Sequence, residues 1–201
     1  MQPARVPILT YHSIDSSGSV LSIAPADFRE HVRLLADHGY TGIRFDRLID
    51  AFEGRGALPP NPVVITFDDA YANFREHALP ALSAAGFSAT VFTIAGLVGK
   101  AGDWPGMGPA IPRLPLLDWP ALREVAGSGF EIGSHAYTHC HLDHAPATSR
   151  RAGQSSSGRR GMAGPMPGQS PAFPTSPAMV NTVAENPAAP SAGSACSRKF
   201  A

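Results

Sequence analysis

"NPVVITFDDAY" (residues 61–71) decides the architecture. Its first seven residues form a short apolar run rich in β-branched side chains, the composition of a strand. A run that is apolar at nearly every position suits a strand buried on both faces, as in a parallel sheet. Two aspartates close it. Parallel sheets bind ligands outside the carboxyl ends of their strands, so Asp68 and Asp69 stand on the rim where a site is expected. Taken alone, the pair also has a plainer reading. Asp is a good helix cap, and Asp69 precedes a helical pattern.

Outward from this stretch the chain alternates strand and helix. "VPILTYH" (6–12) is a first strand. "PADFREHVRLLADHG" (25–39) is a helix carrying Phe28, Val32 and Leu35 on one stripe, with Pro25 near its start and Gly39 at its stop. "TGIRF" (41–45) is a second strand, and "DRLIDAFEG" (46–54) a short helix with Asp46 placed to cap it and Gly54 to end it. Beyond the aspartates, "YANFREHALPALSAAG" (71–86) is helical in pattern, with Pro80 predicted to kink it. "SATVFTIA" (88–95) is a fourth strand, followed by a Gly/Pro-rich loop over 96–115 that reads as flexible. "DWPALREVAGSG" (118–129) is a helix capped by Asp118, and "FEIGSH" (130–135) a fifth strand. Short connections between alternating elements imply an α/β fold with a parallel sheet.

The fifth strand leads into "EIGSHAYTHCHLDH" (131–144), which holds four of the eight histidines. His135 ends that strand and His12 ends the first, so both reach the same rim as the aspartates. Two imidazoles at i and i+4, as in His135 and His139, are often coincidence on a surface helix. Joined to a carboxylate, they make a common divalent-metal set that leaves positions open for water and substrate. The adjacent second carboxylate is then useful as a proton acceptor, because water acidified by a metal still has to lose its proton. A non-haem iron oxygenase uses the same donors, but its His and carboxylate usually lie close together in sequence on a β-sandwich.

Composition narrows the function classes. The formal net charge is zero, which excludes the basic footprint of a nucleic-acid binder. No apolar stretch reaches the ~20 residues needed to span a bilayer, and no secretory leader is read at the start, so no membrane partner is expected and the location reads as cytoplasmic. Two cysteines, Cys140 and Cys196, give no disulfide framework. The neutrality hides an asymmetry. Residues 1–145 hold 15 acidic and 10 basic side chains, whereas residues 146–201 hold one acidic and six basic ones. In that second segment Pro, Gly, Ser and Ala make up 34 of 56 residues, with no Leu, Ile, Tyr or Trp. Such a segment cannot bury enough apolar surface to offset its ordering entropy, so it is read as a disordered tail after a domain of residues 1–145.

"TFDDAY" together with "GSHAYTHCHL" resembles the first two motifs of the polysaccharide deacetylase family, also called carbohydrate esterase family four. "VPILTYHSI" and "LPALSAAGFSATVFTI" are similar to its bacterial branch, and the resemblance covers roughly residues 6–144. It implies Asp68 as general base and Asp69, His135 and His139 as ligands of a divalent metal, usually zinc. It implies a distorted (β/α) barrel of about seven βα units, of which five are read here, and removal of acetyl groups from N-acetylated, sometimes O-acetylated, sugar polymers. Ala136 stands where the family often has Ser or Thr, and Cys140 where Pro usually follows the second histidine. Cys140 has the chemistry of a zinc ligand, but its position next to His139 favours a loop-packing role. The family's later motifs supply an arginine that orients the base and a late histidine acting as acid. Neither is recognisable in residues 146–201, so the barrel is expected to be truncated and the chain alone weakly active or inactive. A metal-containing carbohydrate-binding module without catalysis is the alternative.

Other residues carry weaker expectations. His12 reads as a substrate or neighbouring contact at the rim, or as a buried histidine satisfied by backbone. Trp104 reads as a sugar platform, or as the one buried aromatic that tethers its loop. Trp119 reads as core, and His141 and His144 as solvated loop residues.

Overall fold

In the computed structural model the chain is described from residue 5 to residue 139. The readings of Cys140, His141 and His144, the boundary at 145 and the tail of 146–201 lie outside the described residues.

The first strand predicted is β1 (Ile8–Tyr11); just beyond it lies an unpredicted β2 (Ser13–Ile14), with which β3 (Ser22–Ile23) pairs as a small parallel sheet of its own. Next come α1 (Pro25–Asp37), β4 (Thr41–Ile43), α2 (Phe45–Phe52) and β5 (Pro62–Phe67). A π-helical stretch, Phe74–Ala78, runs directly into α3 (Leu79–Ala84). The chain continues through β6 (Thr90–Thr93), a short 3-10 turn (Ala95–Leu97), α4 (Trp119–Gly127) and β7 (Glu131–Ser134).

The main sheet has five strands, all parallel, in the order β1-β5-β6-β7 with β4 also on β5. β4 is wedged between the early ends of β5 and β6. It pairs with Pro62 to Val64, while its Gly42 carbonyl accepts the Ser88 amide at 3.1 Å. Beyond the wedge β5 meets β6 directly, with Thr66 opposite Thr90 and Phe67 opposite Val91. β5 is therefore the central strand. That matches its unbroken apolar run.

Phe67 is the pivot of the core. It stacks on Tyr11 at 5.5 Å and meets Phe28 and Phe74 edge-on at 5.7 and 4.7 Å, and Phe74 in turn meets Phe130 at 5.6 Å. Phe28 and Val32 of α1, Leu82 of α3, and Leu122 and Val125 of α4 bury against the same cluster. Trp119 packs at its edge, as expected of a core residue. On the other side of β5, Val64 closes a smaller group with Ile43 and Leu48 of α2.

Helix ends show where local pattern suffices and where it does not. Asp118 caps α4 as expected, its side chain accepting the Ala121 amide at 2.8 Å. Gly39 and Gly54 end α1 and α2 with φ of 73° at each. Asp46 does not cap α2. The helix starts one residue earlier, and Phe45 and Asp46 donate their amides to Thr90 Oγ1 at 2.7 Å and Glu131 Oε2 at 3.0 Å. Tertiary acceptors on β6 and β7 have taken the role, and the Asp46 carboxylate is turned toward Arg44 instead. Pro80 acts earlier in the helix than a simple kink. It lacks an N–H, and the turn before it widens into the π-helical stretch before α3 begins. Among the described residues no helix is long and apolar enough to cross a membrane.

Phe67→Ala should lower stability by about 3–5 kcal/mol, the usual cost of emptying a packed aromatic position. Phe52→Ala, at a side chain 65% exposed, should stay within about 0.5 kcal/mol of the parent in the same denaturant titration.

Candidate metal centre

The acid pair leaves the sheet where β5 ends. Asp68 still follows the ladder, its amide donating to the Tyr11 carbonyl at 2.9 Å. At Asp69 the backbone turns left-handed (φ 68°), and Ala70 follows with φ 59°. This turn separates the two carboxylates. Asp68 sits at the rim with its side chain 21% exposed, and Asp69 is folded inward with its side chain 2% exposed. A second chain segment holds the turn in place. Leu117 donates its amide to the Ala70 carbonyl at 2.8 Å, and Ala72 donates to Pro115 at 2.9 Å. That segment is the end of the Gly/Pro-rich loop and the two residues after it, and the loop is not the free one its composition suggests. Leu116 donates to Lys100 at 2.9 Å and Gly102 to Leu114 at 2.8 Å, so the loop folds back on itself as a bonded ribbon.

The histidine loop arrives from β7. His135 donates its amide to Thr93 at 2.8 Å, one more rung of the β6–β7 ladder. The segment from His135 to His139 is not a helix, and Ala136 and His139 both adopt positive φ, 65° and 56°. These left-handed residues curl the loop so that both rings face Asp69. The His135 Nε2 lies 3.6 Å and the His139 Nε2 3.3 Å from Asp69 Oδ1, and the three donor atoms all lie within 4.8 Å of one another. Ligands held tetrahedrally at ~2.1 Å from an ion stand ~3.4 Å apart. The spacing fits.

Electrostatics supports the same reading. Asp69 Oδ1 is buried with no hydrogen-bond partner, an expensive state for a carboxylate oxygen unless a cation neutralises it. The capping interpretation of Asp69 fails, because the next helix begins only at Phe74 and its N-cap position is Asn73. Burial, with the neighbouring charge of Asp68, raises the Asp69 carboxyl from its ordinary range to about 7. His12, half-buried, has its Nε2 4.0 Å from Asp68 Oδ2. Burial lowers its pKa, opposed by the Asp68 charge and reinforced by His135.

The structure thus brings Asp68, Asp69, His135, His139 and His12 together at one end of the sheet. Trp104 joins them from beneath. It is 8% exposed, its ring 4.6 Å from that of His139 and 6.5 Å from that of Tyr71. This burial matches the loop tether and leaves little ring face for a sugar. Two neighbours were not singled out from the sequence. Tyr71 buries its hydroxyl beside the site, also without a hydrogen-bond partner, and burial ahead of the Asp69 and Asp15 charges raises its pKa. Asn73 accepts the Ile14 amide at 3.1 Å and donates to Ser13 Oγ at 2.8 Å, fixing the segment next to His12. A sequence signal existed for Asn73 alone, a short amide side chain just past the acid turn.

Residues 55–158 match the family described as polysaccharide deacetylase, just over half of the chain. The chain belongs to the polysaccharide deacetylase family. A Bacillus subtilis (strain 168) protein named for this family, YxkH, is 32% identical over 142 residues, which are 71% of this chain and 46% of that protein. The poly-beta-1,6-N-acetyl-D-glucosamine N-deacetylase of Escherichia coli (strain K12) is 28% identical over 140 residues, 64% of this chain and 20% of the enzyme. Among solved structures, Streptococcus pyogenes deacetylase PplD in complex with acetate aligns with a TM-score of 0.59 at 25% identity, over 72% of this chain and 62% of PplD. The family chain described here therefore spans less than half the length of these two curated relatives. Its parallel α/β sheet is the fold of the deacetylase structures it aligns with.

The buried carboxylate makes a signed prediction. Between pH ~4 and ~7 the folded, metal-free protein keeps a proton on Asp69 that the unfolded chain has already lost. Stability of the metal-free protein should therefore fall as pH rises through that window, and stay reduced above it. Asp69→Asn, which keeps an amide able to adopt the same left-handed backbone, should raise the metal-free melting temperature at pH 8 by roughly 5 °C and change little at pH 4. The same variant should lose most of its affinity for added zinc. Equal melting temperatures at both pH values would show that burial of this carboxylate costs nothing.

Proposed function

We propose that the chain is a metal-dependent deacetylase of N-acetylated sugar polymers, with Asp68 as general base and Asp69, His135 and His139 holding the ion. The observation that carries this reading is the buried Oδ1 of Asp69, without a hydrogen bond, facing two imidazole nitrogens at 3.3 and 3.6 Å. One oxygen and two nitrogen donors suit zinc, the ion we assign, and the partly exposed rings leave room for other ligands. When bound, the cation supplies Lewis acidity toward an acetyl carbonyl and acidifies water.

The chain's own groups then have distinct tasks. Asp68, at the rim, takes the proton from the water that attacks the acetyl carbonyl. A carbon–oxygen bond forms, the proton held by Asp68 passes to the departing nitrogen as the carbon–nitrogen bond breaks, and acetate and a free amine leave. His12 orients Asp68 or touches the sugar, and Trp104 supports the ring of His139 from behind. The substrate class is supported by the name of the Escherichia coli relative, and acetate, the product expected here, was captured on PplD.

Acetate release from chito-oligosaccharides by the zinc-loaded chain tests the assignment. Asp68→Asn should lower turnover by about 100-fold or more while zinc content stays near one ion per chain. His139→Ala should lose both. If the parent chain binds zinc and the oligosaccharide yet releases no acetate, the carbohydrate-binding alternative replaces the catalytic one.

A further inference from the structure

Gly96 lies in the turn that leaves β6, opposite the loop that carries both imidazoles. Its backbone is outside the left-handed region, so conformational freedom does not explain a glycine there. Space does. A Cβ at this position would stand 2.5 Å from the Tyr137 backbone carbonyl oxygen and 3.1 and 3.3 Å from ring atoms of the same residue. Two hydrogen bonds hold the contact closed. Ala95 donates its amide to Ala136 at 3.1 Å, and Gly96 donates to Tyr137 at 2.9 Å. Ala136 and Tyr137 are two of the three residues between His135 and His139.

We infer that Gly96 is a positioning residue for the metal centre: its missing side chain sets how closely the histidine loop seats, and thereby the site's affinity for a divalent cation. The inference rests on the metal-centre reading above. Magnitudes favour it. Moving the Tyr137 carbonyl out to 3.0 Å, the shortest approach a real Cβ tolerates, takes a shift of about 0.5 Å. Metal–ligand distances tolerate only about 0.2 Å. The β6 side will not give way easily, because Ile94 is fully buried and the turn is closed by Leu97 donating to Ile94 at 2.9 Å. The other side can, since Tyr137 is 60% exposed. The displacement therefore falls on the segment between the two ligands.

Zinc affinity, measured by competition with a chromophoric chelator, tests this on the full chain, alongside melting of the metal-free protein. Gly96→Ala should bind zinc at least about 10-fold more weakly, with a metal-free melting temperature close to the parent's. Gly42→Ala is the control. Its Cβ would meet the Phe87 ring at 2.7 Å, far from the site, so it should melt earlier yet bind zinc normally when folded. Tyr137→Ala should bind zinc normally, and adding it to Gly96→Ala should restore nothing, because the collision is with backbone. Parent-like affinity in Gly96→Ala, recovery in the double variant, or failure of Gly96→Ala to fold would each overturn the inference. Failure of the underlying reading looks different: His139→Ala would then bind zinc as tightly as the parent.

Discussion

A carboxylate sealed beneath the end of a parallel sheet must be neutralised, and this requirement organises the surrounding structure. Asp69 is held almost out of water in a turn at the end of β5 that the 115–117 segment bonds in place. Its Oδ1 is buried with no hydrogen bond, so either a proton or a cation must balance the charge. Burial, with the neighbouring charge of Asp68, raises its pKa to about 7, so without a cation it holds a proton up to near neutrality. A cation held with His135 and His139 would compete with that proton for the carboxylate. Metal loading and protonation would then be alternatives at one carboxylate, which would couple affinity to pH near neutrality.

Holding that oxygen in place requires a rigid floor and an unusual backbone. Phe67, the residue before the acid pair, touches three other aromatic rings, so β5 cannot slide without opening the core. Above this floor the strain is concentrated. Of the five non-glycine residues with positive φ among the described residues, four (Asp69, Ala70, Ala136 and His139) are in the two loops that meet at the site. Each costs on the order of 1 kcal/mol relative to ordinary backbone. Such strain persists only where neighbours over-determine the geometry. Here the neighbours are visible: the 115–117 segment bonds one loop and the turn after β6 bonds the other.

Much of this was legible in the sequence, for reasons that are local. The apolar run of β5, the stripe of α1, the Asp118 cap and the alternation of elements follow from side-chain period and helix-end chemistry. Asp68, Asp69, His135 and His139 could be placed on one rim because parallel strands all end on the same side. What escaped was settled by distant partners. Asp46 lost its capping role to Thr90 and Glu131, more than 40 residues away in the chain. Composition made 96–115 look free, yet its backbone pairs with the acid turn. Trp104 could not be assigned inside or outside until Tyr71 and His139 were seen against it.

Ala136 draws these points together. A serine or threonine expected there would offer a hydroxyl to brace the loop, and alanine offers none. The brace is instead supplied by backbone: the Ala136 carbonyl is bonded by the Ala95 amide, and the next carbonyl by Gly96. Left-handed backbone at a residue with a Cβ favours an escape to ordinary φ, and in a free loop nothing would prevent it. With two amides fixed by β6 gripping two consecutive carbonyls, the escape would break both bonds. The side chain at 136 is thus dispensable for shape as long as the turn at 95–96 can approach, and the constraint passes from a hydroxyl to the absence of a Cβ one strand away.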